Sequence, residues 1–531
     1  MTALQATLSA PGSQARRSLP AILGLVGVFL IWELAARAFE DAFVLAGPSD
    51  VLAYLMANQA LMGRALMVTL SNAAIGFVLG NLAAVLLALI ALLWPRSESV
   101  VTGLALFVFC LPLVATGPIL RVFFGPGEWP QILLAALAVY YTTLIPLLVG
   151  LRAAPATWFD LVRSYGRGRF AALFHVRMMA SLPYFVAGLQ IAAPAAFLGA
   201  MVGEFTGAER GMGVLTIRAM RALDVDMTWA LASVATAVAI LVYLVIGWLA
   251  RLVLSDAPPV ILAAPRASVS GRAAVWKSTV NIALTVGVVL GVWWGALAVL
   301  DVSPFFAKGP ADVFDALFLA PDAATTRATL GSALIDTSVL LLPGYFAGLL
   351  AGAGLAMLVV LVPALTGIAM TLSIALRSVP IVTTAPLVVL LAGRGAVGTI
   401  VLVAVMVFFP TFVACLHGLR QAPGQVMDVL HSYAAGPILQ LIRVRIPAML
   451  PAFFAAARMS VPASVLAVTV VEWLATGNGI GSLMAVSASL SDYDMLWSSV
   501  VLVSLLSSLG YAAVGAIESR VLRIYAPEQL A

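Results

Sequence analysis

Two long stretches of this chain match each other at a constant separation of 268 positions, with no insertion or deletion between them. Asp160 matches Asp428, Ser164-Tyr165 matches Ser432-Tyr433, Arg177 matches Arg445, and Pro183 and Pro194 match Pro451 and Pro462. Glu204 falls on Glu472, and Gly211 and Gly213 fall on Gly479 and Gly481. Upstream, the same register pairs Thr69 with Thr337, Gly76 and Gly80 with Gly344 and Gly348, and Pro112 and Pro118 with Pro380 and Pro386; downstream it pairs Trp229 with Trp497. Most matched residues are not the apolar ones, so shared greasiness does not explain the agreement. Self-similarity held over this length means one structural unit encoded twice, head to tail.

The solvent of that unit follows from composition. The chain is 63% apolar and 10% charged, whereas soluble domains carry roughly 25% charged residues. It is therefore all-α and polytopic, since helices satisfy their own backbone in lipid. Crossing a hydrocarbon core takes about 20 residues per helix. Runs of that kind occur near 20–38, 66–93, 99–120, 131–150, 184–204 and 228–250, and again near 280–300, 335–361, 364–390, 397–417, 452–472 and 496–517. The expectation is a transmembrane helical bundle of about 12 spans, six per unit.

Charge sets the orientation. With the amino terminus cytoplasmic, Arg16, Arg17, Arg96, Arg152, Arg163, Arg177, Arg251, Arg420, Arg445 and Arg520 all fall on the cytoplasmic side, and Asp50, Glu128, Asp224, Asp312, Asp322 and Asp492 fall opposite. This bias places both termini in the cytoplasm. An even number of spans per unit makes the repeats parallel and not inverted. Trp32 and Gly47-Pro48 have counterparts in Trp294 and Gly309-Pro310 at a separation of 262, which argues that the first hydrophobic run is a retained span and not a cleaved leader. The expected division is a first transmembrane domain at 1–255, a cytoplasmic linker at 256–278 rich in Pro, Ser and Gly, and a second transmembrane domain at 279–531. Cys110 and Cys415 both lie in apolar runs, so no disulfide framework is expected.

Several chemistries are excluded. There is no glycine-rich phosphate loop ending in Lys-Ser or Lys-Thr, and the only lysines are Lys277 and Lys308. His175, His417 and His431 lack metal-ligand spacing, and no nucleophile and base are arranged together. The chain is expected to be no enzyme and to need no cofactor or metal. The net charge of +5 follows from membrane topology and requires no nucleic acid.

The loop between the fourth and fifth spans of each unit carries the most information. It reads Ala156-Thr-Trp-Phe-Asp-Leu-Val-Arg-Ser-Tyr-Gly-Arg-Gly-Arg-Phe in the first unit and Gly424-Gln-Val-Met-Asp-Val-Leu-His-Ser-Tyr-Ala-Ala-Gly-Pro in the second. Each is expected to form a short amphipathic helix opened by Asp160 or Asp428, a break at Gly166 or at Ala434 to Gly436, and a second, basic helix returning to the membrane. Such a pair of helices is too short to span and is suited to docking.

This loop resembles the EAA motif of type I ABC importer permeases: an acid, two apolar or small residues, three variable ones, Gly, a small residue, and a Pro-marked helix about 20 residues on. The tails from Val202 to Gly213 and from Val470 to Gly481 resemble the subgroup that imports nitrate, sulfonates, taurine and pyrimidine compounds. The resemblance covers nearly the whole chain twice. It departs from the motif in having Asp for Glu, Ala434 for Gly in the second unit and Met179 for Pro in the first. It implies that Asp160, Arg163, Ser164, Tyr165, Gly166 and Arg167, with Asp428, His431, Ser432, Tyr433, Ala434, Ala435 and Gly436, dock two copies of a separate cytoplasmic ATPase. It also implies a periplasmic or lipid-anchored solute-binding protein, a small-molecule solute, surrounding membrane lipid and a bacterial inner-membrane location.

Candidate path residues are Pro112, Thr116 and Pro118, their counterparts Pro380, Thr384 and Pro386, and Glu204, Glu472 and Arg377. The two glutamates either reach water at the outer end of a span or line the path. Arg377 either meets an anionic solute or pairs with Glu472. An ion-coupled secondary transporter with two parallel six-span halves is the alternative class, and it requires ionisable groups deep in the spans.

Overall fold

Apolar length becomes helix throughout the described chain. The computed structural model describes residues 26–39, 45–253, 272–300, 302–366, 369 and 395–525, and no strand occurs among them. The first unit runs α1 (26–38), α2 (Pro48–Ala57), α3 (Gln59–Leu93), α4 (Glu98–Phe109), α5 (Leu113–Phe124) and α6 (Trp129–Gly150). It continues with α7 (Ala156–Ser164), α8 (Phe170–Glu204), α9 (Met212–Ala222) and α10 (Val225–Val253). The second runs α11 (Arg272–Leu300), α12 (Pro310–Phe314), α13 (Ala323–Leu361), α14 (Ala396–Arg420), α15 (Gly424–Ser432), α16 (Pro437–Leu474), α17 (Gly479–Leu490) and α18 (Tyr493–Tyr525).

Among the described residues, 9 helices are long and apolar enough to cross a membrane, or 10 if the bent pair α4–α5 is one span. The two remaining expected spans are 20–38, described only from residue 26, and 364–390, which lies almost wholly outside the described residues. With it, Arg377, Pro380, Thr384 and Pro386 lie outside them too. Of the expected linker, 254–271 are outside the described residues, while 272–278 already belong to α11.

The expected span at 99–120 is broken into two helices meeting at 96°. Pro112 explains the break. It has no N–H to continue α4 and disfavours helical backbone at Leu111, so the chain must turn before α5 starts.

Within each unit, glycines let helices touch backbone to backbone. A Cβ at Gly76 would lie 2.6 Å from the Ile132 carbonyl oxygen, and one at Gly80 2.6 Å from that of Ala136. The second unit repeats this on α13 and α14, where Gly344 and Gly348 face Ile400 and Ala404 at 2.8 and 2.5 Å. Small residues four apart are the usual means of close helix approach where no water drives association. Between units, α11 packs on α4, with Gly103 facing Thr285.

One sequence pairing needs correction. Gly47 and Gly309 do correspond, each donating its N–H to an aspartate three residues on, Asp50 at 2.9 Å and Asp312 at 2.7 Å. Trp32 packs on Trp229 at 5.5 Å, but Trp497, the repeat mate of Trp229, stacks on Trp293 at 5.4 Å. Trp293 and not Trp294 is thus the packing counterpart of Trp32, because Trp294 points outward from α11.

Candidate functional site

Each expected docking loop is a short helix closed by a tight turn. α7 starts after Pro155 and α15 after Pro423, one turn before the aspartates. Asp160 and Asp428 therefore do not open their helices, contrary to the sequence expectation; proline pre-sets the backbone angle for helix entry and moves the start upstream. Both aspartates are exposed, and Asp160 sits 3.5 Å from Arg163, one turn on.

The turns that end these helices share one geometry. Gly166 donates its N–H to the Arg163 carbonyl at 2.8 Å and Arg167 donates to Val162 at 3.2 Å. Ala434 donates to His431 and Ala435 to Leu430, both at 2.9 Å. These paired bonds form a Schellman closure, which places one residue in the left-handed region. Gly166 takes it at φ +64°, and Ala434 takes it at φ +51° despite its Cβ. The glycine-to-alanine departure leaves the loop's shape intact and puts local strain into the second unit.

What these loops present is apolar. Trp158, Leu161 and Tyr165 on α7, with Phe170 and Phe174 beyond the turn, are exposed, and so are Val426, Val429, Tyr433, Ile438 and Ile442 at the five repeat-related positions. Tyr165 is 76% exposed and Tyr433 81%. Spacing of three and four residues lines each set along one helix face. Ser164 and Ser432 turn their hydroxyls back to the Leu161 and Val429 carbonyls, while Arg167, His431 and Gly436 stay exposed at the rim. Behind each loop, α8 and α16 begin with a single π-helical turn, Leu173–Arg177 and Leu441–Arg445, at the same separation of 268. Insertions of this kind in a helix often mark functional positions.

At the other end of α8 and α16, the two glutamates are only 1% exposed and line no opening. Glu204 accepts from the Thr69 hydroxyl at 2.6 Å and from the Gly213 N–H at 2.6 Å, while the Thr69 oxygen accepts from the Met212 N–H at 2.8 Å. Glu472 repeats this with Thr337 at 3.0 Å and Gly481 at 2.9 Å, and Thr337 accepts from Ile480 at 2.9 Å. The N–H groups are those left unpaired at the starts of α9 and α17, where the helix dipole favours a carboxylate. Glu204 and Glu472 therefore bolt three helices together in each unit. Glycine is required beside them, since a Cβ at Gly211 or Gly479 would lie 2.2 Å from the carboxylate.

The remaining described path candidates sit around the α4–α5 break. Pro112 caps α5, Thr116 is buried with its hydroxyl bonded to the Pro112 carbonyl at 2.9 Å, and Pro118 lines a cavity of about 550 Å³ between the units. Phe205 and Trp473, each next to a bolted glutamate, line that cavity as well.

Two charged groups escaped sequence reasoning. Arg458, 4% exposed in α16, pairs with Glu518 of α18 at 3.0 Å and lies over the Tyr511 ring at 5.3 Å. The repeat places Gln190, Ala250 and Tyr243 at those positions, and Gln190 donates to the Tyr243 carbonyl at 3.4 Å. A charge inside a span with a neutral repeat mate was the available signal. The other is Arg121 of α5, which lines the cavity and whose repeat mate is Val389.

A multi-span helical bundle encoded twice, with the same short-helix loop in each half, defines a polytopic membrane protein with both halves in one polypeptide. The chain belongs to the family of binding-protein-dependent transport system inner membrane components, whose model matches twice, at 76–256 and 344–523. The two matches begin 268 residues apart, the same register that the residues give.

Three relatives each match over about the length of one unit. A probable ABC transporter permease protein of Haemophilus influenzae is 30% identical over 227 residues, 42% of this chain and 93% of its own. The formylaminopyrimidine transport permease protein ThiX of Halalkalibacterium halodurans is 28% identical, covering 37% of this chain and 79% of its own. The taurine transport system permease protein TauC of Escherichia coli is 23% identical, covering 46% and 90%.

Proposed function

We propose that this chain is the fused permease subunit of an ATP-binding cassette importer, with its two domains, 1–255 and 279–531 joined by 256–278, together forming the path for a small solute. The observation that carries this reading is the pair of exposed apolar stripes on α7 and α15, identical in position and outside the apolar spans. Contiguous apolar surface left uncovered marks a place where another protein sits. Two such stripes fit two copies of one ATPase, which supplies the energy that this chain has no phosphate loop to capture. A solute-binding protein delivers the solute at the opposite side, in a bacterial inner membrane with both termini cytoplasmic.

The mechanism follows from rigidity. The bolts at Glu204 and Glu472 make α3, α8 and α9, and likewise α13, α16 and α17, move as units. Displacing the docking helices when the ATPases close is then transmitted along α8 and α16, with the π-turns at their bases as the points that yield. Solutes of the relatives, formylaminopyrimidine and taurine by name, point to a small polar or anionic molecule.

Copurification tests the reading. An ABC ATPase coexpressed with this chain should be retained by the wild type and lost from the Asp160→Arg, Asp428→Arg double variant, whose reversed charge faces the partner. Retention by the double variant at wild-type level would count against docking at these loops. The alternative, an ion-coupled transporter, draws on the Arg458–Glu518 pair inside the spans. Liposomes holding the chain alone decide it: uphill solute movement on an ion gradient without nucleotide would replace the importer reading.

A further inference from the structure

The 550 Å³ cavity lies in the range of about 300–1,000 Å³ that small-molecule sites occupy. It is built by both units. α5 and the end of α8 contribute Arg121 and Phe205, and the second unit contributes Phe306, Trp473, Ser489 and Tyr493. α8 is 35 residues long, so at about 1.5 Å per residue the cavity lies on the order of 50 Å from the docking loop. It is on the side where a solute enters under the permease reading.

Its chemistry is unlike that of the surrounding spans. Arg121 is half-buried and has no carboxylate within ion-pair distance among the described residues. Among the described residues its one hydrogen bond is a long one, 3.5 Å from Nη1 to the Thr206 carbonyl. Gly207 holds φ +102°, and a Cβ there would lie 2.2 Å from that Nη1, so a bare backbone makes the room that the guanidinium fills. Arg121 stands in the last turn of α5 and faces the cavity; a guanidinium with no acid beside it among the described residues is suited to an anion. Around it stand four aromatic rings, with Phe306 and Tyr493 edge to face at 5.2 Å. Aromatic walls favour flat ligands, which stack on them with little loss of freedom.

The asymmetry strengthens the case. The repeat gives Val389 opposite Arg121 and Val225 opposite Tyr493. Glu204 and Glu472, which hold helices together, occur in both units, whereas Arg121 and Tyr493 each occur in one.

We infer that this cavity is an entry site for a planar organic anion, its charged group held by the Arg121 guanidinium and its ring against Trp473 and Phe205. The inference deepens the permease reading and rests on it for the direction of traffic, but occupancy of the cavity needs neither ATPase nor nucleotide.

Calorimetric titration of the full chain in lipid nanodiscs with benzenesulfonate tests it. Saturable binding is expected, weakened about tenfold or more by Arg121→Gln and less by Arg121→Lys, which keeps the charge. Ala488→Trp, which fills the cavity and leaves Arg121 in place, should abolish binding, and it provides an independent variant if Arg121→Gln proves unstable. Benzylammonium, with the same ring and the opposite charge, should not compete, and methanesulfonate, which lacks the ring, should compete about tenfold more weakly. No binding to the wild type, unchanged affinity in a folded Arg121→Gln protein, or equal competition by benzylammonium would overturn the assignment. Methanesulfonate competing as well as benzenesulfonate would overturn the requirement for a flat body. The Asp160→Arg, Asp428→Arg protein should bind benzenesulfonate normally, so loss of ATPase docking and failure of this site are read separately.

Discussion

A threonine hydroxyl that donates to a carboxylate while accepting from a helix N-terminus is difficult to replace, and Thr69 and Thr337 both do this. The glycines beside them are as constrained. Gly211→Ala or Gly479→Ala inserts a methyl group 2.2 Å from the carboxylate at a backbone angle, φ +131° or +87°, that side chains avoid. Each should cost about 2 kcal/mol or more, measured as a lower thermal unfolding midpoint of the purified chain, whereas Gly166→Ala, with open space around it, costs less. The Arg458–Glu518 pair makes a different prediction. Removing Glu518 alone, as Glu518→Ala, leaves a buried charge and should destabilise by about 3 kcal/mol. Adding Arg458→Gln should recover most of that, because Gln190 and Ala250 already occupy the equivalent positions in the first unit. A double variant no more stable than the single one would show that the pair is not a self-contained substitution for the neutral arrangement.

Among the elements, the proposed docking helices α7 and α15 differ in one respect that their shared backbone conceals. Both close through a left-handed residue, but only the first has glycine there. Replacing Ala434 by Gly should stabilise the second loop by about 1 kcal/mol, and replacing Gly166 by Ala should destabilise the first by a similar amount. Hydrogen exchange of the amides that close each turn, at 166–167 and 434–435, reads both changes. Equal protection in the two wild-type loops, unmoved by either substitution, would mean that the turn contributes nothing to loop order. The break between α4 and α5 is the other element-scale device. It turns α5 so that Pro118 and Arg121 reach the cavity between the units, which a continuous helix through 99–120 does not do.

For the molecule as a whole, the relatives named above cover from 37% to 46% of this chain with most of their own length. Those relatives match one unit per polypeptide, whereas this chain carries two in one. Expressed as two polypeptides divided within 254–271, the halves should still copurify, since their contact runs through α11 on α4 and through the residues around the cavity. Halves that never associate would show that the joint, and not the interface, holds the molecule together.

The duplication, the helical membrane-spanning class and the short loop helices of both units were legible in one dimension. Each is a matter of order, spacing or apolar length, and those properties survive without knowledge of what touches what. Three features required the folded chain. Glu204 and Glu472 read from the sequence either as path residues or as carboxylates reaching water at the ends of spans, and burial against Thr69 and Thr337, each 135 residues away, makes them bolts. Pro112 was visible, but a proline alone does not specify a 96° turn. Arg121 had no motif around it, because its surroundings come from both units and from segments far apart in sequence. Register and hydropathy are written along the chain, whereas enclosure, charge pairing and the shape of a cavity are sums over contacts that exist only once the two units have packed.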